Sequence, residues 1–144
     1  MAVSVLDLFA RASLHIARAQ AEIVGAFRLT LDQYAVLRTV AEVPGQSRAG
    51  ISEKTGIPLS RIEEDALADL KADGFIHCLD GEDRTVHPTD KGKIVAQDVR
   101  AKIEAYERAL MARTAAPFLT NSLLHLIRAL EAPAPKKKER RTDA

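Results

Sequence analysis

Along the first stretch of the chain, apolar residues recur at spacings of three and four. Val5, Phe9, Ala12, Ile16, Ala19, Ile23 and Phe27 fall on one side of a helix, and Val3, Leu6, Leu8, Leu14 and Val24 widen the stripe. The pattern predicts one long helix over residues 3–29 with more than one apolar face. Two readings are open: one face meets its own domain and the other a partner subunit, or the helix is wrapped in its own core. Thr30 followed by Gln33 forms a capping box that opens a second helix carrying Tyr34, Val36, Leu37 and Val40. Pro44-Gly45 stops it. Ser47 caps a short helix through Ile51 and Lys54 that ends at Gly56, and Pro58 prevents continuation.

The next segment repeats the signals of a helix start and stop. Ser60 with Glu63 reads as a second capping box, Ile62, Ala66, Leu67 and Leu70 as its buried stripe, and Gly74 as its end. Two extended runs, 75–79 and 85–88, flank the turn Asp80-Gly81-Glu82-Asp83. Thr89 opens a long helix over 90–113 with Ile94, Val95, Val99, Ile103, Tyr106 and Leu110 on one side. Ala115-Ala116-Pro117 breaks it, and a last helix over 118–130 is too apolar to stand in water alone. Helix, short turn, helix and hairpin is the layout of a winged helix. The expected fold is mainly α with a small β-wing: a winged helix-turn-helix over 30–92, with terminal helices over 1–29 and 93–131 on either side of it in sequence. The tail 132–144, with Lys136-Lys137-Lys138-Glu139-Arg140-Arg141, lacks large apolar residues and reads as disordered and basic.

Composition narrows this little. A chain of 144 residues is one domain, or one domain with long helical extensions, and a net charge of +1 points to no class of partner. One cysteine, Cys78, excludes an intrachain disulfide and is compatible with a reducing cytosol, so a cytoplasmic location is expected. The N-terminus lacks the basic region of a secretory signal, and no apolar run approaches a membrane span.

The order of motifs resembles the MarR family of dimeric winged-helix transcription regulators. Leu29-Thr30-Leu31-Asp32-Gln33-Tyr34-Ala35-Val36-Leu37 is similar to the family's Leu-Thr-x-x-Gln-aromatic-x-Val-Leu. Leu67-Ala68-Asp69-Leu70-Lys71-Ala72-Asp73-Gly74-Phe75-Ile76 is similar to the end of its recognition helix. Glu82-Asp83-Arg84 matches its wing acid and arginine, and Thr89-Asp90-Lys91-Gly92 its Thr-x-x-Gly. The resemblance implies a homodimer whose terminal helices, over 1–29 and 93–131, form a dimerisation domain, with Val5, Phe9, Ile16, Ile23, Leu119, Leu123, Leu126, Ile127 and Leu130 at the interface. It implies binding to a palindromic site in double-stranded DNA, often relieved by a small-molecule effector or an oxidant. It places Arg48, Lys54, Ser60, Arg61, Glu64, Asp65 and Arg84 at the DNA.

The chain departs from the family in a short wing and in Thr85, which stands where a second arginine is frequent. The larger departure is chemical. From Pro58 to Asp73 there are two bases, Arg61 and Lys71, against five acids, Glu63, Glu64, Asp65, Asp69 and Asp73. Cations neutralising phosphates dominate DNA affinity, whereas a carboxylate at a base edge can only select. Affinity is therefore expected from Arg48, Lys54, Arg61, Arg84 and the tail, with Glu64 and Asp65 restricting which bases are tolerated. The alternative is a protein-interaction module whose acidic helix meets a basic partner and binds DNA weakly or not at all.

His77, Cys78 and His87 lie on the two wing strands, where facing positions could join two of them. Zinc asks for four ligands at closer spacing, so no metal is assigned; Cys78 is a strand residue first and a redox switch second. His15 and His125 are expected to be packed and hydrogen-bonded. No Gly-rich phosphate loop, nucleophile motif or paired-carboxylate site is present, so neither an enzyme nor a cofactor is expected.

Overall fold

The computed structural model describes residues 3–79 and 84–133. The expected turn 80–83 and the basic tail from residue 134 onward lie outside the described residues. The chain divides into two compact units, Met1–Ala105 and Tyr106–Ala144.

Helix α1, Val5–Gly25, begins where the Ser4 hydroxyl accepts from the Asp7 amide. It stops at Gly25 rather than running on to residue 29. Arg28 turns left-handed, with φ 59°, so the Leu29 amide folds back onto the Val24 carbonyl at 3.1 Å. That closure is a Schellman end, and it buries Val24 and Leu29 together. Helix α2, Leu31–Glu42, has the expected capping box: Gln33 N donates to Thr30 Oγ1 and Thr30 N to Gln33 Oε1. Helix α3, Arg48–Thr55, is capped by Ser47 and closed by Gly56, whose φ of 72° suits a residue without a Cβ.

The next helix departs from expectation at its start. Ser60 is not its cap. Pro58, with ψ 139°, supplies the extended cap position; Leu59 is already helical and Ile62 N bonds back to Pro58 O. No side chain caps this end, and Glu63 is exposed rather than folded back. The helix then widens. An α-turn, Leu59–Arg61, passes into a π-helical stretch, Ile62–Ala66, in which Leu67 N bonds to Ile62 O, and then into an α-segment, Leu67–Ala72. These three run as one helix, α4, over 59–72. The wide turn rotates the residues before it relative to those after it, so a uniform 100° wheel misplaces Glu63. Gly74, at φ 75°, ends α4 with a second Schellman closure, Phe75 N to Leu70 O.

The wing has one more strand than expected. Strand β1, Gln46–Ser47, pairs with β3, Thr85–Pro88, which pairs with β2, Ile76–Cys78; the sheet order is β1-β3-β2, all antiparallel. Val86 of the central strand is fully buried, opposite Gln46 on one side and Cys78 on the other. Gln46 Nε2 donates to Thr39 O at 2.9 Å and ties the sheet to α2.

Helix α5, Asp90–Met111, begins in a knot of backbone bonds. Thr89 Oγ1 donates to Gly74 O at 2.6 Å and accepts from Gly92 N at 3.0 Å, while Thr89 N donates to Phe75 O at 3.0 Å. A Cβ on Gly92 would lie 1.9 Å from Phe75 O, so only glycine lets α5 approach the end of α4 this closely. In the first unit, Leu37, Ile51, Ile62, Leu70, Val86 and Val99 are fully buried in one core.

In the second unit, helix α6, Ala116–Glu131, follows α5. Pro117 sits in its first turn, where the missing amide costs nothing, so the break falls before it rather than at it. None of the described residues of α6 is buried.

Candidate nucleic-acid interface

Helices α3 and α4 are joined by the turn at Gly56, Ile57 and Pro58. Ile57 is buried beneath it, and the turn is laced by Ser52 Oγ donating to Ile57 O at 2.7 Å and Ile57 N donating to Thr55 Oγ1 at 3.3 Å. With its backbone satisfied locally, this turn holds α4 by Ile62, Ala66, Leu67 and Leu70 and leaves the rest of the helix outward. Ser60, Arg61, Glu63, Glu64, Asp65, Ala68, Asp69 and Lys71 are all exposed.

The other expected DNA residues stand on neighbouring elements. Arg48 opens α3 and is half-buried; its Nε is buried with no partner among the described residues. Lys54 is exposed in the last turn of α3. Arg84 is exposed immediately before β3 and left-handed, with φ 39°. Ser60, Arg61, Glu64 and Asp65 thus share one exposed helix, while Arg48, Lys54 and Arg84 belong to the preceding helix and the wing.

Two contacts at this site had no signal in the sequence. Arg61 is ion-paired with Asp32 at the start of α2, and Gln33 Nε2 donates to Asp69 Oδ2 at 3.0 Å. The start of α2 therefore holds one flank of α4 at two points. Between them lies a cleft of about 640 Å³. Val24, Leu29 and Ala66 are among its apolar lining, and Asp32, Asp65, Asp69 and Arg61 are its charges. Asp32 and Gln33 drew notice only as part of a helix start; their long-range partners are far off in sequence.

A smaller cleft of about 300 Å³ lies between α2 and α5, lined by Arg38, Ala41, Glu42, Ala96, Gln97 and Arg100. Arg38 stands over the ring of Tyr34, 6.0 Å from its centroid, and Arg100 Nε donates to Glu104 Oε1 at 2.9 Å. Burial raises the Tyr34 phenol above its ordinary range, against the opposing pull of Arg38 and Arg100.

On the wing, His77 and His87 face each other across β2 and β3 with stacked rings 5.5 Å apart, and Thr85 Oγ1 lies 3.1 Å from His87 Nε2. Cys78, the next residue along the strand, points to the other side and packs against the core. No cluster of three or more His, Cys, Asp or Glu suited to a metal occurs among the described residues. His15 and His125 are exposed in the chain, contrary to a packed reading within one protomer. No helix among the described residues is long and apolar enough to cross a membrane.

No family model matches the chain, and no curated protein matches it. Solved structures do. A MarR of Staphylococcus aureus in complex with salicylate and kanamycin has a TM-score of 0.76 at 18% identity, over 88% of this chain and 91% of that one. The PcaV transcriptional regulator of Streptomyces coelicolor, in complex with its natural ligand, has a TM-score of 0.71 at 22% identity, over 92% and 98%. A MarR family protein of Mycobacterium tuberculosis in complex with DNA has a TM-score of 0.71 at 18% identity, over 91% and 100%. The chain has the winged helix-turn-helix fold of the MarR-family regulators.

Proposed function

We propose that this chain is a DNA-binding transcription regulator of the MarR type that works as a homodimer and carries out no catalysis. The observation that carries the reading is the helix-turn-helix itself: α4 stands outward from the laced turn after α3, flanked by the wing. Arg48, Lys54 and Arg84 supply cations for phosphates on either side of α4, and Ser60, Arg61, Glu64 and Asp65 face base edges. Two copies would present their α4 helices to half-sites about one helical turn apart, ~34 Å. The partner copy would cover Val5, Phe9, Ile16, Ile23, Leu119, Leu123, Leu126, Ile127 and Leu130, none of which is buried in one chain. The cleft between α2 and α5, with two guanidinium groups at its edge, suits a small anionic effector. The reading places the protein in the cytoplasm, where its DNA is.

One observation favours a second reading, a module that meets a basic protein: the exposed side of α4 carries four acids, Glu63, Glu64, Asp65 and Asp69, against two bases, Arg61 and Lys71. Fluorescence anisotropy on mixed genomic duplex fragments, scanned over salt, separates the two. A DNA regulator binds at low salt. Arg48→Ala and Arg84→Ala then each weaken binding several-fold and lower the salt slope by about one. Absence of binding at low salt leaves the interaction module.

A further inference from the structure

The acidic flank of α4 does more than dilute its positive charge: one of its neighbours already occupies the best-placed base. Arg61 stands in the first turn of α4, on the side where the helix dipole also favours an anion. Its guanidinium is drawn to α2, where Nη2 donates to Asp32 Oδ2. A carboxylate and a phosphodiester compete for the same face of a guanidinium, because both accept its paired N–H groups in the same plane. The pair is also open to solvent, with 58% of the Arg61 side chain and 40% of the Asp32 side chain exposed. Exposed ion pairs are weak and screened, so this one can be exchanged rather than locked. Gln33 holds Asp69 beside it by a separate hydrogen bond, so the flank stays in place when Arg61 leaves.

We propose that Asp32 sets the DNA affinity of this protein as an internal competitor for Arg61. In the free chain Arg61 is held on Asp32, and a phosphate or base edge must displace that carboxylate to use it. The inference rests on the DNA-binding reading and deepens it: the acid that matters most lies on α2 rather than on α4.

The test is a double-mutant cycle read by anisotropy on a duplex fragment that the unaltered protein binds, with wild type, Asp32→Asn, Arg61→Ala and the double variant, each over a salt series. Asp32→Asn is expected to tighten binding about two- to five-fold and to steepen the salt slope by up to about one phosphate contact. In the Arg61→Ala background the same change is expected to do almost nothing. Melting curves of each variant confirm folding, and Asp32→Ser serves as a second variant because serine also suits the first turn of a helix.

An Asp32→Asn protein that binds more weakly than wild type overturns the proposal and makes Asp32 a positioning residue for Arg61. An equal gain with and without Arg61 overturns it in favour of a general charge effect. Unchanged affinity overturns it while leaving the DNA reading intact. A wild-type protein that binds no fragment at the lowest salt overturns the DNA reading, and this inference with it.

Discussion

Helix α4 and helix α6 both carry apolar stripes, the second the richer one, and meet opposite fates. Ile62, Ala66, Leu67 and Leu70 of α4 are all buried, whereas Phe118 and Leu130 of α6 are 77% and 75% exposed. The same division runs through the molecule. Every buried apolar residue among those described lies between Val24 and Val99. On α1, Val5 and Leu6 stand as exposed as the residues of α6. The difference is not one of hydrophobicity but of neighbours. Between Val24 and Val99 the chain folds back on itself within short turns, so most apolar side chains meet others from the same chain, although Val43, Leu59, Leu79 and Ile94 stay exposed. The terminal helices have apolar faces that their own unit does not cover, and an uncovered face of that kind marks an interaction surface.

The comparison can be broken most severely at Gly92. Gly92→Ala puts a Cβ against the Phe75 carbonyl, and the start of α5 must then move away from the end of α4. We expect a loss of about 3 kcal/mol in urea unfolding, the upper range for forced overpacking. A loss below about 1 kcal/mol would mean that the knot at Thr89 is slack.

The terminal helices give the next largest effect, and of a different kind. Val5→Glu combined with Leu130→Glu leaves every residue of the 24–99 core untouched. If a second copy covers both faces, light scattering shows the wild type as a dimer and the double variant as a monomer, at a cost to association of about 2 kcal/mol or more for burying unpaired charge. The far-ultraviolet helical signal of the winged helix should survive. A wild type that is already monomeric at high concentration would remove the second copy as the covering partner.

The smallest effect sharpens the boundary between the two regions. Two Schellman ends close on the same pattern, one at Gly74 and one at Arg28, but only the first has a residue suited to positive φ. Arg28→Gly should therefore raise the unfolding free energy by about 1 kcal/mol, the usual cost of a side chain in the left-handed region. An unchanged midpoint would show that the arginine side chain contributes as much as its backbone loses.

What the sequence made legible follows the range of each interaction. The Thr30–Gln33 box, Ser47 at the start of α3, and Gly56 and Gly74 at helix ends are all local, fixed by residues within a turn of one another. Ser60 failed for a local reason too: serine is a good cap, but Pro58 had already taken the extended backbone position, and a helix has one cap. Strand β1 was missed because its two residues carry no alternation; β3 makes it a strand. The Arg61–Asp32 pair and the Gln33–Asp69 bond join α2 to α4 across intervening elements, and nothing in spacing or periodicity marks partners so far apart. The facing of His77 and His87 was legible as one pairing among several, and the register of β2 on β3 selected it.

The bonds around Thr89 give the long helix a mechanical role. Thr89 holds the carbonyls of Gly74 and Phe75, and Lys91 Nζ adds a bond to Asp73 O at 3.0 Å. The backbone just after α4 and the first turn of α5 are therefore bonded directly to each other. Helix α5 extends from there for 22 residues, roughly 33 Å at the usual rise. Because these bonds run from the first turn of α5 to the backbone at 73–75, any displacement of that first turn would be felt directly at the end of α4.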